Sequence, residues 1–99
     1  MAEPINFKFE HGSKGSIGAT ALQMTTLNFE CQRGVVVKAA AGNSGKVYVG
    51  NSDVTADSAA ATDGFELSAG EAVTLEVDNV NKIWVIGSAV SQKVFWLTV

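Results

Sequence analysis

The sequence predicts an all-β fold: an antiparallel two-sheet sandwich, jelly-roll-like, with about eight short strands and a flexible N-terminal arm. Three observations predict it. From Arg33 to Val99, short apolar segments alternate with clusters of Gly, Asn, Asp and Ser, the punctuation of hairpin-linked strands. In the clearest segment Val73, Leu75 and Val77 point one way while Thr74, Glu76 and Asp78 point the other, a period of two. Ten glycines and a single proline, Pro4, in 99 residues suit a chain made mostly of turns and strands. Helical periodicity is lacking, so helix is expected to be absent or limited to one turn, with Ala59-Ala60-Ala61 the candidate.

The elements follow in order. Residues 1–23 are expected to form an arm or edge strand on a linker. Ile5, Phe7 and Phe9 share one strand face, and three glycines fall between His11 and Gly18, a segment expensive in entropy to hold still. The sandwich is expected over residues 24–99. Thr25–Cys31 reads as a strand, with Thr25, Leu27 and Phe29 on one face. Gly34 marks a bulge or a close backbone approach. Val35-Val36-Val37 is β-branched throughout and suits a strand covered on both faces. Gly42-Asn43-Ser44-Gly45 turns the chain into Lys46–Gly50. Asn51–Thr62 is a polar, alanine-rich loop, and Asp63-Gly64 turns into Phe65-Glu66-Leu67. Lys82–Ile86 and Lys93–Val99 close the domain.

Size and charge narrow the function. A single domain of this length buries only about 60–65% of its extended-chain surface, so association is a common source of added stability. The charged fraction, 17%, is below the usual value of about 25%, which leaves apolar surface for a partner. The formal charge is −3 and the cations are scattered singly, so neither nucleic acid nor membrane is expected as a partner. The single cysteine, Cys31, excludes an intramolecular disulfide framework and reads as a small buried apolar residue. The opening MAEPINFKFE has neither a basic n-region nor a long apolar stretch, so a secretory signal is not expected and synthesis in a reducing cytoplasm is.

No catalytic, cofactor or metal site is expected. The sole histidine, His11, lies in the glycine-rich segment, where nothing holds it for a triad or a zinc site. Asp53, Asp57 and Asp63 do not match the alternate spacing of a calcium loop. Gly45-Lys46 lacks the first glycine and the Ser/Thr of a phosphate loop. Attention therefore falls on the aromatics. Phe95 and Trp96 are adjacent, so one faces the core and the other faces outward. Lys82–Ile86 is apolar on both faces, through Ile83 and Val85 on one side and Trp84 and Ile86 on the other. These features predict a covered outer surface, with Trp84, Ile86, Phe95 and Trp96 as candidate subunit-interface residues.

A set of strand and turn residues also looks familiar. It runs Cys31-x-x-Gly34-Val35, Val37-Lys38-Ala39, Asn43-x-Gly45-x-Val47-Tyr48-Val49-Gly50, Gly64-Phe65-x-Leu67-x-Ala69-Gly70-Glu71 and Val77-Asp78-Asn79-Val80-x-Lys82-Ile83-x-Val85-Ile86-Gly87. Over residues 25–99 this resembles small β-rich virion structural proteins of tailed bacteriophages, among them capsid decoration (cement) proteins and head fibres. The resemblance implies a non-enzymatic protein on the capsid surface, commonly a homotrimer, whose partner is the major capsid protein. It implies a docking role for the N-terminal arm, here Ile5, Phe7 and Phe9, and deletion of residues 2–18 is expected to remove attachment without unfolding the domain. The alternative is a tail, baseplate or fibre-associated β module contacting host-surface glycans through an exposed Trp84 or Trp96 beside the loop acids.

Overall fold

The computed structural model describes residues 9–56 and 59–99. Eight strands follow in order: β1 (His11–Ile17), β2 (Leu22–Gln23), β3 (Val35–Ala39), β4 (Val47–Gly50), β5 (Phe65–Leu67), β6 (Ala72–Leu75), β7 (Trp84–Gly87) and β8 (Gln92–Thr98). They make two antiparallel four-stranded sheets, ordered β1-β8-β3-β6 and β2-β7-β4-β5. The pairs nest one inside another: β4 with β5, β3 with β6, β2 with β7 and β1 with β8. Pairings of β3 with β8 and of β4 with β7 join them into sheets. A long antiparallel ribbon rolled in this way is the wiring of an eight-stranded jelly roll.

The strand alternation sets the core. On β8 Gln92, Val94, Trp96 and Thr98 are buried while Lys93, Phe95 and Leu97 are exposed. Its neighbour β3 turns Val35, Val37 and Ala39 inward, with Val37 directly beside Trp96. The facing sheet contributes Val47 and Val49 from β4, Leu67 from β5 and Val85 from β7, and Ile17 seals the β1 side. Val36, expected to be covered on both faces, is half-buried on the outer side of its sheet. Val73, Leu75 and Val77 pack on the core as their alternation predicts.

The glycine-rich segment is a strand, not a linker. Residues 11–17 pair with β8, and the chain through β2 belongs to the sheets, so the sandwich begins well before Met24. Gly12 is level with Trp96, and a β-carbon built on it would lie 2.5 Å from the indole ring. Glycine there gives the indole its space, a packing reason for a residue that in isolation weakens a strand. Between Lys14 and Ile17 the register shifts, and Ser16 takes a left-handed φ of 54°. That bulge turns Ile17 fully into the core.

Thr25–Cys31 departs from the strand expected there. Only Glu30 makes a ladder contact, an isolated bridge to Asn79. Side chains take over the backbone groups: Thr25 Oγ1 accepts from the Leu27 amide and Asn79 Oδ1 from the Phe29 amide. The resulting bend separates residues of equal parity. Leu27 is exposed, whereas the Phe29 ring packs on Trp96 with centroids 5.0 Å apart. Among the described residues the one helical turn is a 3-10 turn at Val80–Lys82, capped by the Asn79 side chain, and not at Ala59–Ala61. At Gly34 the anticipated close approach is present: its φ is 153° and a β-carbon would fall 2.2 Å from the Leu75 carbonyl oxygen.

Two buried amides tie the loops to the sheets. Gln92 Oε1 accepts from the Gly45 amide, and its Nε2 donates to Ser44 Oγ and the Val90 carbonyl. Asn79 Oδ1 accepts from the Phe29 and Asn81 amides, and its Nδ2 donates to Asn28 Oδ1. Gln92 engages its oxygen and both N–H groups, Asn79 its oxygen twice and one N–H, and among the described residues no buried side-chain polar atom is left without a partner.

Candidate docking surface

The two outer faces of the sandwich differ. On the β2-β7-β4-β5 sheet, Tyr48, Trp84 and Ile86 point outward, with Tyr48 beside Ile86 across the β4–β7 ladder. These side chains are covered from within the chain. Val54 and Ala56, from the loop between β4 and β5, and Ala21 pack on them. The loop folds back through hydrogen bonds from the Thr55 amide to the Thr62 carbonyl and from the Gly64 amide to the Thr55 carbonyl. Ile86 is left only 8% exposed and Trp84 half-buried. The two-sided apolar strand Lys82–Ile86 thus finds its second cover in its own alanine-rich loop, where the sequence suggested a second subunit.

The outer face of the β1-β8-β3-β6 sheet has no such loop among the described residues. Phe95 is 44% and Leu97 37% exposed, and Val99 continues the row. The ladder places Ser13 and Lys38 on either side of Phe95, and His11 and Val36 on either side of Leu97. At one end, the Thr98 amide donates to the Glu10 carbonyl and the Glu10 amide to Thr98 Oγ1, which brings Phe9 level with Val99. Phe9 is 67% exposed. At the other end Lys93 holds its ammonium 5.0 Å from the centre of the Phe95 ring. The result is an apolar stripe, a row of exposed side chains, Phe95, Leu97, Val99 and Phe9, on a face that no described loop covers.

The sequence-derived interface set is therefore divided. Phe95 lies on the open stripe, Trp84 and Ile86 lie under the loop, and Trp96, 5% exposed, is core. The parity argument, one aromatic of Phe95-Trp96 inward and the other outward, holds. Leu97 and Val99 were not singled out, although they share the parity of Phe95 and the same rule finds them. Phe9 stands at the end of the stripe, while Ile5 and Phe7 lie outside the described residues.

Reactive groups are few. Among the described residues no three His, Cys, Asp or Glu side chains gather in a metal-binding group. His11 is exposed on β1. Asp63 accepts a hydrogen bond from Thr55 Oγ1 at 2.7 Å, a loop-bracing contact, and Asp57 lies outside the described residues. The Cys31 thiol donates to the Val77 carbonyl at 2.9 Å. Burial first and the neighbouring Asp78 carboxylate second push its pKa above the ordinary thiol value, the opposite of activation. Asp78 itself is held below the usual carboxylate range by a hydrogen bond and ion pair with Lys82, 2.6 Å away. An open cleft of about 420 Å³ beside Asn43, Lys46, Glu66 and Ser88 is bridged by the Lys46–Glu66 ion pair.

Comparison with protein-family models, with curated proteins and with solved structures finds no match to this chain.

Proposed function

We propose that the chain is a non-enzymatic structural protein that docks through the outer face of its β1-β8-β3-β6 sheet, and that it serves as a capsid decoration protein on a phage head. The observation that carries the reading is the asymmetry of the sandwich. One outer face is closed by the chain's own loop, while the other presents Phe95, Leu97, Val99 and Phe9 in one row. A flat apolar row suits a shallow, repeated contact, where many symmetric copies supply avidity that a single contact lacks. The capsid as partner rests on the sequence resemblance, and on the use of jelly rolls as coat modules, a fold-level analogy.

The mechanism is linkage. A protein that binds only the expanded shell, across junctions between capsomers, shifts the shell toward that state by the free energy of binding. The experiment is co-sedimentation with expanded and unexpanded shells of the virus that encodes the chain. Saturable pelleting with expanded shells, lost in Leu97→Lys, is the expected result. Pelleting that is absent with both shells, or unchanged by Leu97→Lys, refutes the reading. Truncation belongs in the same assay but must stop at residue 8, because removing residues 2–18 deletes β1 and the buried Ile17.

A further inference from the structure

The open stripe and the N-terminal segment carry the same pattern with opposite charge. Along β8 the outward residues are Lys93, Phe95, Leu97 and Val99, one cation followed by three apolar side chains at every second position. Residues Glu3, Ile5, Phe7 and Phe9 repeat that order at the same spacing, with an acid in place of the cation. Laid alongside each other in the same direction as extended chains, Glu3 meets Lys93, Ile5 meets Phe95 and Phe7 meets Leu97. The distance is the same on both sides, about 13 Å from first to third residue at ~3.3 Å per residue. Among the described residues Lys93 has no carboxylate partner.

The described chain leads toward the Val99 end of its own stripe, away from Lys93. Strand β1 runs antiparallel to β8, with Ser13 level with Phe95 and His11 with Leu97. Followed backward from Ser13, the chain therefore passes Phe95, then Leu97, then Val99, and leaves Lys93 behind. Reaching its own Lys93 requires a reversal before Glu10, whose backbone is bonded to Thr98. Phe7-Lys8-Phe9 contains none of the residues that make tight turns.

We infer that residues 3–7 of one subunit lie along the Lys93–Leu97 part of the stripe of a second copy, Glu3 on Lys93, Ile5 on Phe95 and Phe7 on Leu97. The contact is head-to-tail: each copy gives an arm and accepts one. Contacts of that kind close into rings when the rotation per subunit permits, and continue as filaments when it does not. The inference rests on the docking-face reading and deepens it: the surface offered to the shell is the stripe completed by a neighbour's arm. Its test contains no shell, so its failure and that of the capsid reading are separable.

The experiment uses the purified chain alone and two variants with complementary defects. Deletion of residues 2–8 removes the arm and keeps the stripe. Leu97→Lys spoils the stripe and keeps the arm, and Phe95→Ser is the second version should the first unfold. Light scattering is expected to find the wild-type chain oligomeric and each variant monomeric. An equimolar mixture of the two variants should give a one-to-one dimer, because one arm and one stripe remain. In addition, Glu3→Lys or Lys93→Glu should each weaken self-association about fivefold, and the double reversal should restore it. A monomeric wild type, an oligomeric deletion variant, or a mixture that stays monomeric would each overturn the proposal.

Discussion

The indole of Trp96 lies where a β-carbon on Gly12 would have to be, 2.5 Å from its Cζ2 atom. The two residues are direct partners across the β1–β8 ladder. Gly12→Ala therefore forces the largest core side chain of β8 off its seat. Overpacking of this kind costs about 1–3 kcal/mol. Urea unfolding should report that loss, and Gly15→Ala, where nothing lies within 4 Å, should lose clearly less. Equal losses at the two glycines would show that strand propensity, and not the indole, sets the requirement.

Adjacent aromatics on β8 should behave as opposites. Trp96 is in the core against Phe29, and Trp96→Ala is expected to lose about 3–5 kcal/mol. Phe95, one residue away, points to the open face, and Phe95→Ser should change the stability of the dissociated subunit by less than about 0.5 kcal/mol. The measurement is chemical unfolding at a concentration where light scattering finds a single subunit. A large loss at Phe95 under those conditions would mean the outer face is covered within the chain.

Gln92 is a buried polar residue with every polar group of its amide engaged, to Gly45, Ser44 and Val90. It clamps the loop between β3 and β4 to the turn before β8. Gln92→Leu keeps the volume but strands the Gly45 amide and the Val90 carbonyl, at about 1–3 kcal/mol. Hydrogen exchange adds a local readout: the Gly45 amide should exchange much faster in the variant, while the Val37 amide in the β3–β8 ladder slows or speeds only with global stability.

How much was legible in the sequence depends on which neighbours a residue needed. Strands β3 to β8 follow from period-two alternation and turn residues because both are local properties. Strand β1 was hidden because its glycines look like linker until Trp96, more than eighty positions away, is placed against Gly12. Thr25–Cys31 failed in the reverse sense. Its alternation is real, but Thr25 and Asn79 satisfy its backbone by side chain and bend it out of the ladder. The apolar second face of β7 was read correctly as needing a cover. That the cover is the chain's own Val54 and Ala56 is a tertiary fact no local pattern holds. Phe95 was found by parity, and the same parity carries Leu97 and Val99.

Cys31 and Asp78 make the last prediction, one of pH. Burial and the Asp78 carboxylate raise the thiol pKa, so at pH 8 the thiolate fraction is below that of an ordinary cysteine. Alkylation by iodoacetamide should be slower than for a free cysteine, and its rate should rise with pH beyond the ordinary thiol range. Asp78→Asn removes the second of the two causes and should speed alkylation at constant pH, while Lys82→Ala should slow it by leaving the carboxylate unneutralised. The Asp78–Lys82 pair has its own pH signature. Its depressed carboxyl pKa means that whatever stability it contributes is complete above the unfolded-state value and disappears as pH falls through the folded-state value. Because both side chains are exposed, Asp78→Asn should differ little from wild type at pH 7, and the difference should vanish in acid. A difference that grew on acidification would reverse the sign of the linkage and assign the shift to another group.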